Sequence, residues 1–315
     1  MTSPADLAAS LGRRRAYWHA GVLLTVLLGA LYVVRRHWPT VESGAGRLAG
    51  ADQGWLLVGA TAALGTWAAS ALAQQGAVIR RLPGRLLLAA QFAACAANHL
   101  LPAGLGAGAV NVRFLMRCGL PAGRSASALA VKATAGATVR LALIAALAPA
   151  CPGLLRPPRL SPAAFAVVLG GLVLVAALPA TPWWARCRRA LTAVLADLRA
   201  LHGCPARSAA LWGGSLAFAA LHSLVLIAVT QAVGLPLPPL QVALLYLAAS
   251  SAAALLPTPG GLGSLDAALA LALTVAGAPG AAAASAVLGY RLLTVWLPLL
   301  PGLLVLGLLV RRKAV

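Results

Sequence analysis

Lys132, Gly136 and Arg140 recur at intervals of four. That spacing places the two cations on one slightly drifting stripe of a helix, about 12 Å apart along its axis. Both lie inside the apolar run 125–148, and a third base, Arg291, stands some way into the run 281–310. A charge at mid-bilayer costs about 2.5–3.5 kcal/mol on insertion scales, so such residues face a wet cavity or a partner. Of the five acids, Asp6, Glu42, Asp52 and Asp197 lie in polar connectors; Asp266 alone can approach the three cations. The positive excess suits the path of an anionic head group or a phosphate and repels a soluble cation. Two alternatives stay open. Lys132 snorkels to an interface while Asp266 pairs with Arg291 purely to hold helices together, or Arg291 is an interfacial anchor of a helix that starts near Leu292.

Two breaks in the apolar pattern carry the other candidate residues. Asn98 and His99 precede the first, which contains Pro102, Gly104 and Gly106, and Asn111, Arg113 and Arg117 follow it. The order Leu-Leu-Pro then Gly-Leu-Gly returns at 255–263, with Pro257, Pro259, Gly260, Gly261 and Gly263. Irregular backbone at membrane depth survives only where protein or a wet cavity satisfies its polar groups, and Asn98 is placed to do that. Arg113 and Arg117 fall at i, i+4 on a basic face suited to phosphates at an interface. The second break admits positive φ at its glycines, with Ser264 as a cap for a short helix beginning near Asp266. It is read either as an anion-binding turn or as a tight turn between packed helices, and it lacks the Gly-Lys-Ser/Thr ending of a nucleotide-binding loop.

The elements that position these residues must be membrane helices. The chain has 315 residues, 61% hydrophobic and 10% charged, with mean hydropathy +0.89; soluble domains are roughly 25% charged. Apolar runs occupy 17–34, 55–73, 86–101, 125–148, 163–180, 209–233, 240–256 and 281–310. The first is flanked by arginines on both sides rather than by a cleavage site, so it reads as a retained helix. If all eight cross in alternation, the Lys and Arg outside the runs divide equally between the two faces, which gives no orientation bias. If instead 86–104 and 240–276 enter and return on opposite faces, 17 of the 25 Lys and Arg gather on one face and five on the other. The expected fold is therefore all-α and polytopic. It has about six crossing helices plus two re-entrant broken hairpins in an inverted-repeat arrangement, with eight simple spans as the alternative. One transmembrane domain is expected over 1–315, its halves being 17–148 and 163–310, and both termini are cytoplasmic. Broken segments at matching positions of inverted halves point to a transport site.

The net charge of +20 is accounted for by this orientation and by contact with anionic lipids, not by nucleic acid. The arginine-rich stretch 181–208 reads as an amphipathic helix on the membrane surface or as a solvated connector. Cys95, Cys118, Cys151, Cys187 and Cys204 have no metal-ligand spacing. No cofactor and no metal are expected. The histidines at 19, 37, 202 and 222 are scattered, and no nucleophile and base stand at catalytic spacing, so the sequence does not read as an enzyme.

At these same residues the chain resembles the transmembrane family shared with the flippase portion of bacterial lysylphosphatidylglycerol synthases, also called uncharacterised protein family 0104. The resemblance rests on the stretch from Leu256 to Asp266, on Tyr290 to Trp296, and more loosely on Asn98 to Arg113. It implies a multi-pass protein of the bacterial cell membrane, related to a domain that moves aminoacylated phospholipids between leaflets. The family often has Gly-Glu after the first break, where this chain reads Gly104 to Gly108 without an acid, and Asp266 stands where Glu is usual after the second. The soluble aminoacyl-transferase domain of the fused synthases is not expected here. The sequence thus leads to a translocator of anionic or modified phospholipids or polyprenyl-phosphate-linked intermediates. Its alternative is a non-transporting scaffold for a separate lipid-modifying enzyme.

Overall fold

The computed structural model describes residues 46–100, 105–152, 203–255 and 263–311, together with 188, 192, 195, 196 and 198–200. The expected helices at 17–34 and 163–180, and Pro102, Gly104, Pro257, Pro259, Gly260 and Gly261, lie outside the described residues. Regular structure among the described residues is entirely helical. The order is α1 (Gln53–Gly76), α2 (Gly84–Leu100), α3 (Leu105–Arg117), α4 (Ala122–Leu147), α5 (Pro205–Ala232), α6 (Pro239–Ala253), α7 (Ser264–Val275), α8 (Gly280–Arg291), a π-helical turn (Leu292–Trp296) and α9 (Leu297–Arg311).

Length separates these helices into two kinds. Gln53–Gly76, Ala122–Ala150, Pro205–Ala232 and the continuous Gly280–Arg311 are long and apolar enough to cross a membrane. By contrast α2, α3, α6 and α7 have 17, 13, 15 and 12 residues. At 1.5 Å per residue each falls short of a hydrocarbon core of about 30 Å.

Crossing helices α1 and α5 set the frame. They run antiparallel, joined at one end by the Asp52 N–H donating to the Ala232 carbonyl at 3.0 Å. At the other end Gly76 lies so near Leu211 that a Cβ there would stand 2.6 Å from the Leu211 Cα, and Gly214 is pressed likewise against Ala73. Small residues allow this approach where lipid supplies no hydrophobic drive between helices.

Each pair of short helices then returns to the face it left. Residues 77–80, which follow α1, share a groove with Gly119, Leu120 and Pro121, which precede α4. The excursion α2–α3 therefore opens where α1 ends. Ala232, which ends α5, meets Asp52, and Gly289 of α8 lies against Val229 and Leu48, so the chain leaves α5 and enters α8 on the side where α1 begins, and the excursion α6–α7 between them opens there. These two excursions of short helices have opposite sense, the arrangement expected of re-entrant hairpins.

The first hairpin is longer than the apolar run suggested. Of the expected 86–104, the described part up to Leu100 belongs to the inward arm α2, and the return arm is α3, whose alanines, glycines, Asn111 and Arg113 do not register as an apolar run. At the tip the arms touch backbone to backbone: a Cβ on Gly106 would overlap the Ala97 carbonyl and lie 3.0 Å from the Asn98 nitrogen. Helix α9 closes over α2, with Gly302 against the Phe92 carbonyl and Ala96 and Leu309 in the cluster of Val78, Leu82 and Leu87. The described positions from 188 to 200 are helical; Leu198 is buried with Ala77 and Leu211 while Arg188 and Arg199 are exposed.

Candidate functional site

The stripe on α4 faces inward. Leu129, Lys132, Ala133, Gly136, Ala137 and Arg140 form one wall of a cavity of about 690 Å³, which follows α4 for about 16 Å. Ser70, Ala73 and Gln74 of α1 face it, with Ala107, Gly108 and Asn111 of the first hairpin's return arm and Ser215, Phe218 and Ala219 of α5. Ala254, the first residue beyond α6, completes the lining. Both hairpins thus contribute to one largely apolar chamber.

A polar network crosses it. The Lys132 ammonium donates to Ser70 Oγ at 2.9 Å and to Gln91 Oε1 at 3.2 Å. Ser70 Oγ donates to the same Gln91 oxygen at 2.8 Å, and Gln91 Nε2 donates to Asn111 Oδ1 at 2.9 Å. Asn111 Nδ2 in turn donates to the Ala107 carbonyl at 2.9 Å. Lys132 is held toward the protein interior in this way. Among the described residues no carboxylate lines the cavity, and Lys132 and Arg140 are the charged groups of that described lining.

Beyond Arg140 an aromatic cluster leads to the second charged group. Phe218 meets His222 edge-on with ring centroids 4.6 Å apart. Tyr290 OH lies 3.0 Å from His222 Nδ1 and donates to Tyr246 OH at 3.2 Å. The next residue, Arg291, is 6% exposed and pairs through Nε with Asp266 Oδ1. It is an interior residue, because α8 begins at Gly280 rather than near Leu292; the anchor alternative is overturned. A π-helical turn follows it directly, a distortion frequent at functional sites.

Asp266 has a second bond. Gly263, at φ +83°, donates its N–H to Asp266 Oδ2 at 2.9 Å. Residue 263 is thus the cap position, and Ser264 is already the first helical residue rather than the cap. The negative charge favoured at this helix N-terminus is supplied by the chain's own acid.

The remaining expected site residues divide. Asn98 and His99 lie at the end of α2 near the hairpin tip, half-buried. Arg113 and Arg117 are exposed on α3 and do not reach the cavity. Ser70, Gln74, Gln91, His222 and Tyr246 were not anticipated. The available signal was neutral polar side chains inside apolar runs, which lack the insertion cost that makes Lys132 and Arg140 conspicuous.

The model of the family described as lysylphosphatidylglycerol synthase TM region matches residues 18–302. The chain belongs to this family. The match takes in both hairpins, every residue lining the cavity and the Asp266–Arg291 pair. Within the lysylphosphatidylglycerol synthase transmembrane region family, then, this chain places its intramembrane cations around paired half-helices. No curated protein matches the sequence.

Proposed function

We propose that this chain moves anionic or modified phospholipids, or polyprenyl-phosphate-linked intermediates, between membrane leaflets. One observation carries the reading: two hairpins of short helices meet at a cavity whose described walls are mostly apolar and whose charged groups, among the described residues, are Lys132 and Arg140. Apolar walls suit a lipid's glycerol and upper tails, and a desolvated cation suits its phosphate. Half-helices at a site between opposed elements are how membrane transporters hold a substrate away from both surfaces. Arg80, Arg85, Arg117, Arg124 and Arg207 cluster where the first hairpin opens, a face that the positive-inside rule makes cytoplasmic.

The test is leaflet exchange of labelled lipids in vesicles reconstituted with the purified chain. Exchange above that of empty vesicles, reduced by Arg140→Ala and by Asp266→Ala in protein that still inserts, supports the proposal. Unchanged exchange across several anionic lipids refutes it for those lipids. The exposed arginines at 188 and 199 favour a second reading, a scaffold that recruits a lipid-modifying enzyme. Deletion of 181–208 abolishes recovery of that partner if the scaffold reading holds.

A further inference from the structure

Ser70 and Lys132 are 62 residues apart in the chain, yet Ser70 Oγ and Lys132 Nζ stand 2.9 Å apart in the fold. Both side chains are half-buried and both line the central cavity, so the pair is open to whatever enters it. A hydroxyl and an amine within hydrogen-bond reach are what a nucleophile and its general base require, and serine–lysine pairs perform that chemistry on unrelated folds. A third group orients both: Gln91 Oε1 accepts from Lys132 at 3.2 Å and from Ser70 at 2.8 Å. Gln91 Nε2 donates to Asn111 Oδ1 at 2.9 Å, which turns the amide oxygen rather than the nitrogen toward the pair. Around it the chamber offers the aliphatic side chains of Ala73, Ala107, Leu129 and Ala133.

We propose that Ser70 and Lys132 are the nucleophile and base of an esterase site that hydrolyses a carboxylic ester of an aliphatic acyl chain within the cavity, an activity beyond translocation and independent of it. In the resting network the Ser70 hydroxyl donates to Gln91. Rotation about its Cβ–Oγ bond redirects that hydrogen to Lys132 Nζ when the amine is neutral. Ser70 Oγ then attacks the ester carbonyl carbon, and Lys132 takes the hydroxyl proton as the Oγ–C bond forms. The ammonium so produced stands beside the tetrahedral oxyanion and stabilises it by its charge. The carbon–oxygen bond to the alcohol breaks, and the alkoxide leaves with the proton from Lys132, giving free alcohol and acyl-Ser70. Water repeats the sequence: it adds to the acyl carbonyl, Lys132 takes its proton and returns it to Ser70 Oγ, and the carboxylic acid is released. Ester and water are the reactants consumed. The apolar walls suit the acyl chain.

The experiment treats the purified full chain in detergent with a long-chain alkyl fluorophosphonate, which forms an Oγ–P bond to an activated serine as fluoride leaves. The labelled residue is located by peptide mass spectrometry, and hydrolysis of p-nitrophenyl laurate is followed in parallel. Wild type is labelled at Ser70, and its rate rises from about pH 7 to about pH 10 as Lys132 loses its proton. Ser70→Ala abolishes labelling and hydrolysis. Lys132→Met slows both about a hundredfold or more, the usual contribution of a general base. Lys132→Arg keeps the positive charge and the donors but offers no base, so it is as slow as Lys132→Met. Absence of labelling in wild type, labelling at another residue, or a rate independent of pH overturns the proposal, whether or not the variants fold. A wild-type rate in Lys132→Arg overturns it as well, because a bridge that only holds helices together needs charge and not a base. Leaflet exchange that persists without labelling refutes the esterase site and leaves the translocator reading standing; labelling without exchange does the reverse.

Discussion

Gly106→Ala tests whether the first hairpin is closed by backbone contact. The added methyl falls inside the van der Waals envelope of the Ala97 carbonyl oxygen and 3.0 Å from the Asn98 nitrogen. Both obstacles are main chain of α2, so no rotamer change relieves them, and the arms must part. Forced overpacking of this kind costs typically 1–3 kcal/mol. Gly108, two residues further along the same arm, has nothing within 4 Å of an added Cβ. There Ala gains helix propensity worth up to about 1 kcal/mol. The two substitutions are chemically identical and two residues apart, yet are expected to move stability in opposite directions. Thermal unfolding of each variant in the same detergent, followed by intrinsic fluorescence, reads the difference. Equal midpoints for Gly106→Ala and wild type would refute the close-contact account of the hairpin tip.

Asp266→Ala leaves Arg291 without its carboxylate and frees the Gly263 N–H; breaking a buried pair costs about 3–5 kcal/mol. Arg291→Leu in the same background should recover much of that loss, and simple additivity in a double-mutant cycle would show the pair to be uncoupled. Tyr290→Phe deprives both His222 and Tyr246 of a hydroxyl partner, with an expected cost of about 1–3 kcal/mol. Tyr246→Phe keeps the His222–Tyr290 bond and should cost less by the same thermal measurement. Cys118 and Cys204 lie on the face where the first hairpin opens, and Cys151 beyond the far end of α4. Impermeant thiol reagent applied from one side should label Cys204 together with Cys118, or Cys151, never both sets. Burial pushes the Cys118 thiol above its ordinary value, partly offset by the Arg80 charge, so less of it is thiolate at neutral pH. Its labelling should be slow there and accelerate as pH rises, whereas equal rates for Cys118 and exposed Cys204 at neutral pH would contradict this burial.

Much of the architecture was legible in the chain because the bilayer makes two demands that can be read in one dimension. Apolar runs must be long enough to cross, and basic residues must favour one face. Counting arginines was enough to prefer two re-entrant segments of opposite sense over eight spans. The i, i+4, i+8 spacing of Lys132, Gly136 and Arg140 likewise placed both cations on one wall, because helical periodicity is a local property. Helix α3 answers to neither demand. Its small and polar residues hide a helix whose stability comes from packing against α2, so the first hairpin was cut short at residue 104.

Which groups meet across the interior was decided only by the tertiary structure. Ser70, Gln91, Asn111 and Lys132 come from four different helices, and their network depends on crossing geometry rather than on spacing. The same is true of His222, which looked solitary in the sequence and is joined to Tyr290 and Tyr246 from two other helices. Asp266 could be named in advance as the acid available to the cations, since the other four lie in polar connectors. That it pairs with Arg291, leaving Lys132 and Arg140 to the cavity, follows from how the second hairpin packs against α8. The sequence alone determined a positively biased membrane domain with charges in its interior. Folding decided which of those charges pair, as Arg291 does with Asp266, and which line the cavity, as Lys132 and Arg140 do.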